Sequence, residues 1–426
     1  MTFKGDCFVY IVLPGETAFV TAGRFQLVQT DTGTAVGKFI YGRSYRSRQH
    51  AVELDPVELR LRAGEFETAL MGGFFGAIRD AMPDSWGRKV IDRRVGGQLD
   101  ELDYLLRAPD DRAGALGFGR NQEPPSAENR FNRTLDLERL QRAADAIIAD
   151  DPDLAGSAGQ QAEDLLMLGG TSIGGARPKA VIQDEGNLWI AKFSRADDRW
   201  NHPRVEHAML ALARTCGLHA IDSKVVSIGG RDVLLVRRFD RDRADDGNFH
   251  RHRMVSALTL LRSDDDARNR NDWSYLMLAD EIRRVSASPE DDLRELFGRM
   301  CFNAAVSNSD DHPRNHAVLA KGRDWRLSPA YDLTPIPVIA QDRRFLAMDC
   351  GIYGQIANKG NLLSGHGRFL LTAPEAEQIF NNITQTVKAE WRAAMRRAGV
   401  NDADCERNAR SFLYDGLYYA AEERNV

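Results

Sequence analysis

The sequence predicts an α+β chain of two lobes, one β-rich and one mostly helical, preceded by a small β-containing unit. Three observations predict it. Short β-branched and aromatic runs fill about the first forty residues. A glycine-rich stretch then enters two hairpins with an amphipathic helix between them. From His252 onward helical patterns dominate. The implied divisions are residues 1–130, 131–240 and 241–426.

In the first division, residues 8–12, 17–20, 24–28 and 36–41 read as separate strands, divided by Gly, Asp and Thr. Residues 74–82 read as a short helix that must stop before Pro83. Asp84 or Ser85 caps the next helix, which runs to about Arg94. Residues 99–106 are helical in pattern, and 114–119 form a glycine-rich strand. Residues 122–129, with Pro124, Pro125 and Ser126, mark a boundary.

The second division opens with a helix over 135–149 and a polar, small-residue linker over 150–159. Residues 169–179 then carry Gly169, Gly170, Gly174 and Gly175 and lead into strands at 180–183 and 188–193, joined by the turn 184–187. Glycines let backbone N–H groups approach an anion closely, so this loop suits a phosphate. It is not a P-loop, because no Gly-Lys-Ser/Thr follows. Lys192 ends the second strand; in kinases a strand lysine of this kind holds the α- and β-phosphates. Val205, Ala208, Met209, Leu212, Ala213 and Cys216 fall on one helical stripe, stopped by Gly217. Glu206 lies at the edge of that stripe. It can pair with Lys192 or serve as a first-turn acid favoured by the helix dipole. Strands at 223–227 and 232–238 flank a Gly229-Gly230 turn. Phe239 follows, where a strand leaves one lobe for the next; it packs on a base or in a core.

Helices are expected at 257–261, 273–285, 293–306, 374–398 and 403–421, with a glycine-rich insert at 351–367. Residues 301–306 are apolar except Asn303 and read as the end of a buried helix, and Pro313 breaks any helix immediately afterwards. The loop between gathers Asp310, Asp311, His312 and Asn315, and Asp332 follows on a separate turn. Asp310 and Asn315 stand five positions apart, as do the proton-accepting Asp and magnesium-binding Asn of a kinase catalytic loop. The same run also reads as a polar Asx-turn loop, or as the Asp310, Asp311 and His312 ligand set of a metal-dependent phosphohydrolase.

Composition excludes several classes. The chain has 426 residues, 43% hydrophobic and 28% charged, as globular domains do. A net charge of −5 argues against a broad nonspecific grip on nucleic acid, despite local clusters such as Arg43, Arg46 and Arg48 or Arg392, Arg396 and Arg397. Cys7, Cys216, Cys301, Cys350 and Cys405 are odd in number and scattered, which points to a reducing cytosol rather than a disulfide framework or a structural zinc site. Asp6, Pro14 and Glu16 interrupt any signal-length apolar stretch. No run has the length of a membrane span, so no membrane association is expected.

Taken together, four segments resemble the HipA family of toxin–antitoxin serine/threonine kinases: 172–179 (SIGGARPK), 236–241 (VRRFDR), 308–315 (NSDDHPRN) and 329–333 (PAYDL). Residues 82–84 (MPD) and 113–116 (AGAL) are similar to that family's accessory domain. The resemblance covers nearly the whole chain and implies a bilobal protein-kinase-like fold, with ATP and Mg2+ as cofactors. It makes Asp310 the catalytic base, and Asn315 and Asp332 the magnesium ligands. Lys192 binds phosphates and pairs with Glu206, while Ile173, Gly174, Gly175, Ala176 and Lys179 of the loop cradle the nucleotide. Arg237, Arg238 and Phe239 form the adenine hinge, and His312, Arg314 and Tyr331 lie near the nucleotide. Ser172 matches the serine that family members autophosphorylate; Thr171 beside it is a second candidate. Arg237 stands where some members have Glu, and Pro178 departs from the best-known loop form. The implied role is a growth-arresting toxin partnered by a small helix-turn-helix antitoxin that supplies the DNA contacts, with an aminoacyl-tRNA synthetase as target. A catalytically silent pseudokinase is the non-enzymatic alternative.

Overall fold

The computed structural model describes residues 2–97, 99–126, 131–149, 166, 175, 177–265, 267–337 and 340–420. Its first sheet holds β1 (Thr2–Val12), β2 (Phe19–Gln29), β3 (Ala35–Tyr41), β4 (Glu65–Thr68) and β5 (Leu116–Gly119). Their order is β4-β3-β2-β1-β5, antiparallel throughout. Phe25, Phe39, Tyr41, Phe66, Phe74 and Phe75 pack an aromatic core behind it. The two strands expected at 17–20 and 24–28 are one strand, β2. Gly23 looked like a turn residue, but its φ is ordinary. A Cβ there would lie 2.2 Å from the Ile40 carbonyl oxygen, so glycine is required by the close approach of β3. The strand bends instead at a register shift opposite Val9 and Tyr10.

The second sheet holds β6 (Asn132–Arg133), β7 (Lys179–Asp184), β8 (Asn187–Phe193), β9 (Ser223–Ile228) and β10 (Arg231–Arg237), in the order β6-β7-β8-β10-β9. Side chains alternate across it with period two. Ala180, Ile182, Trp189, Ala191, Phe193, Val233 and Leu235 form one face and pack against the helix Leu137–Ala149 and Trp86. The other face carries Lys179, Ile190, Lys192 and Val236 toward a cavity. The helix His202–Thr215 begins at the Asn201 cap, with Pro203 in its first turn.

The helical lobe is built on Pro289–Val306, mostly apolar in its second half apart from Arg299 and Asn303 and buried from Leu296 onward. It starts four residues before the expected position, because Pro289 is preorganised for a first helical turn. Tyr275–Val285 and Ala373–Arg397 flank it. The helix expected over 403–421 ends early, as Asp402–Ala409. Beyond it Leu413 has φ +49, and its N–H donates to the Ala305 carbonyl at 2.8 Å, so this segment is taken up in bracing the buried helix. Five strands in this half were not anticipated: β11 (Arg241–Arg243), β12 (Phe249–Arg251), β13 (Arg253–Ser256), β14 (Ala317–Ala320) and β15 (Arg326–Leu327). The first two pair, and the last three form a sheet that receives the chain leaving the loop at 307–316. One apolar core runs without a break from the first sheet into the helical lobe. Among the described residues, no helix is long and apolar enough to cross a membrane.

Candidate active site

Lys179 on β7 and Lys192 on β8 are directly opposite each other in the antiparallel register. Like charges so placed repel unless each is neutralised. Lys192 Nζ lies 2.6 Å from Glu206 Oε1, on the helix His202–Thr215, and 2.7 Å from Asp332 Oδ1. Burial alone would lower the Lys192 ammonium, but the two carboxylates outweigh it and hold it above the usual lysine range. The Lys192 charge in turn keeps the Asp332 carboxyl below its ordinary value. Asp332 sits at φ +59, a left-handed conformation that aspartate tolerates better than most residues. Lys179 Nζ is held elsewhere: 2.8 Å from Asp84 Oδ2 and 2.8 Å from the Gly175 carbonyl oxygen.

The loop after Val306 turns at Ser307, which caps the helix at φ +53. Its two adjacent aspartates point to different environments. Asp310 is exposed, and its carbonyl accepts from Asn315 Nδ2 at 3.4 Å. Asp311 is 1% exposed. Its Oδ2 accepts from the Tyr275 hydroxyl and lies 2.8 Å from His316 Nε2. Asn303 Nδ2 donates to the same hydroxyl at 3.1 Å, and Asn308 Nδ2 donates to Asn303 Oδ1 at 3.1 Å. Asp311 is therefore the buried support of the loop. Among the described residues, Asp310, Asp311 and His312 do not form a group that could hold a metal ion.

One cavity collects most of the remaining candidates: Gly175, Lys179, Lys192, Arg237, Arg238, Phe239, His312, Arg314, Asn315, Tyr331 and Asp332 all line it. Asp310 and Glu206 do not; the first stands at the loop tip and the second behind Lys192. The Phe239 and Tyr331 rings are 5.6 Å apart, and the Tyr331 hydroxyl donates to the Arg314 carbonyl at 2.7 Å. Arg314 itself makes a two-pronged contact with Asp265. The Arg238 side chain is turned away from the cavity and is fully buried between Asp111 and Asp240. Ser172, Ile173, Gly174 and Ala176, with Thr171, lie outside the described residues.

The cavity also has walls that sequence reasoning missed: Asp80 and Ala113 from the N-terminal part, and Met254 and Ser256 from β13. Asp80 accepts from the Ser256 N–H at 2.7 Å and from the Thr259 hydroxyl at 2.6 Å. No local pattern marks these residues, because each reaches the site through tertiary packing. Asp84 had a signal, but its capping role accounted for it and concealed the second contact.

Residues 171–391, just over half of the chain, match the family described as HipA-like C-terminal domain. The curated protein "Putative kinase Y4mE" of Sinorhizobium fredii is 27% identical over 312 residues, covering 69% of this chain and 71% of that one. A "Putative kinase" of Haemophilus influenzae is 27% identical over 191 residues, covering 40% of this chain and 55% of that one. Among solved structures, HipA of Shewanella oneidensis MR-1, determined as a toxin–antitoxin complex with HipB and operator DNA, superposes with a TM-score of 0.67. That match covers 95% of this chain and 94% of the other at 16% identity, a likeness of fold.

Proposed function

The chain belongs to the HipA-like C-terminal domain family, and on that premise we propose that it is an ATP-dependent serine/threonine protein kinase acting as the toxin of a toxin–antitoxin module. The observation that carries the reading is Lys192 held between Glu206 and Asp332 on the wall of a cavity that also contains Asn315. A hinge-like exit from β10 through Phe239 closes the same cavity. Phosphoryl transfer needs positioned cations and oxygen ligands more than covalent chemistry, and this wall supplies both.

Asn315 and Asp332 offer oxygen ligands of the kind magnesium prefers, and Asp332 uses only Oδ1 toward Lys192. Among the described residues no group of three or more His, Cys, Asp or Glu is placed to hold a metal ion. Magnesium at nucleotide sites takes one or two carboxylates plus phosphates and waters, so these two residues fit it. Bound there, it would neutralise phosphate charge. Lys192 holds the phosphates, and the hinge backbone at 237–239 holds the base. Asp310 takes the proton of the acceptor hydroxyl as its oxygen bonds to the γ-phosphorus and the β–γ bridging bond breaks, releasing ADP.

Residues 1–130 act as an accessory domain, 131–240 as the nucleotide lobe and 241–426 as the catalytic lobe. The superposing toxin, solved with HipB and operator DNA, supports a HipB-like antitoxin as partner, with DNA contacts made by that partner. A serine or threonine of a translation protein such as an aminoacyl-tRNA synthetase is the proposed target, and Ser172 the proposed autophosphorylation site. Incubation with γ-labelled ATP and magnesium tests the reading. Label should appear on protein with the native chain and not with Asp310→Asn. Release of free phosphate without protein labelling would establish a hydrolase, and neither product a silent regulator.

A further inference from the structure

The two opposed lysines differ in where their counter-charges come from. Lys192 takes Glu206 from its own lobe, whereas Lys179 takes Asp84 from the N-terminal part of the chain. The Asp84–Lys179 pair is well buried, with side chains 10% and 3% exposed. Asp84 divides its oxygens. Oδ1 accepts from the Gly87 N–H at 2.7 Å and caps the helix Ser85–Val95, which fixes the carboxylate and leaves Oδ2 aimed at Lys179. Two residues on, the Trp86 indole N–H donates to the Lys179 carbonyl at 3.1 Å. One helix start therefore grips both the backbone and the ammonium of a residue on the cavity wall. Lys179 lines that cavity, and Asp84 lines the cleft beside it.

We propose that Asp84 is a positioning residue for the phosphate site, holding Lys179 charged and aimed at the nucleotide as Glu206 does Lys192. This rests on the nucleotide reading of the cavity. The charged groups around Lys179 are Asp84 on the helix start, Lys192 on β8 and Asp332 on its turn. Burial pulls the Lys179 ammonium below the usual lysine range; Asp84 and Asp332 oppose this, and Lys192 reinforces it. Without Asp84, Lys179 gives up its proton at lower pH and with it its attraction for phosphate.

The test is ATP binding by calorimetry from neutral pH upward, the direction in which a lysine with a depressed pKa loses its charge. Asp84→Asn keeps a capping oxygen and removes the charge. It should bind ATP roughly tenfold more weakly near neutral pH, and its affinity should decline with rising pH earlier than that of the native chain. Adding Lys179→Arg, a guanidinium that stays charged, should remove the early decline. Native-like binding by Asp84→Asn at every pH would overturn the proposal. So would a loss that is independent of pH, which a damaged cap would produce. If Asp84→Asn fails a thermal melt, Asp84→Ser carries the same test. Lys179→Ala separates two failures: lost binding there beside native binding in Asp84→Asn sinks this inference alone, and native binding in both sinks the nucleotide reading with it.

Discussion

The outer and inner edges of the loop at 307–316 are made from neighbouring residues and do opposite work. On the outer edge, Asp310 is exposed, and His312 and Asn315 border the cavity. On the inner edge, Asp311 and His316 are sealed against Tyr275 and the buried helix Pro289–Val306. A freely solvated carboxylate can meet a substrate hydroxyl. A sealed one can only hold its neighbours in place, and it does so because an unmet buried donor costs more than a hydrogen bond returns. Adjacency in sequence thus hides a division between a carboxylate open to solvent and one that supports the loop from within.

The contrast breaks most sharply by substitution on each side. Asp310→Asn should lower phosphoryl transfer by about 10²–10⁴-fold with an unchanged melting curve, measured by single-turnover labelling. A variant that keeps its rate would remove Asp310 from the chemistry. Asp311→Ala should instead destabilise the fold by about 2–5 kcal/mol in urea melts, because the buried Tyr275 hydroxyl and His316 ring lose their shared acceptor. Unchanged stability would mean that water reaches the inner edge. Tyr275→Phe is milder: Asp311 keeps His316, but the Asn303 amide loses its acceptor, for about 1–3 kcal/mol.

The smallest effect calibrates the others. Burial pushes the Glu58 carboxyl up to about 7, against a hydrogen bond from the Gly76 N–H. A raised folded value means stability that is present below the unfolded value near 4.5 and is lost as pH rises through about 7. Glu58→Gln should flatten that slope, worth on the order of 2 kcal/mol between pH 5 and 8. A slope identical to that of the native chain would assign the titration to another group.

Much of this architecture was legible because its signals are local. The two hairpins were read within a residue of their observed ends, and the 3.6-residue stripe beginning at Val205 lies on a helix that starts three residues earlier, at His202. Glu206, at the edge of that stripe, does meet Lys192. The strands β11 to β15 were not legible, since two to four residues are too few to display a period. Gly23 misled because glycine marks turns and close backbone approach alike. The Asp310–Asp311 pair misled for a different reason. Nothing in a polar dipeptide says which carboxylate faces water; only the buried Tyr275, about thirty-five residues upstream, decides it.

The Arg238 guanidinium bears on how the molecule moves. It sits at the joint between the lobes, where nucleotide-binding proteins of two lobes commonly flex, and is locked to Asp111 from the N-terminal part and to Asp240. Arg241 repeats the contact to both. Prying open one such buried pair costs about 3–5 kcal/mol, so fewer than roughly one molecule in a hundred would occupy a state that breaks it. An opening at this joint that keeps both pairs intact carries the segment around Asp111, and β5 a few residues beyond it, along with the chain leaving β10.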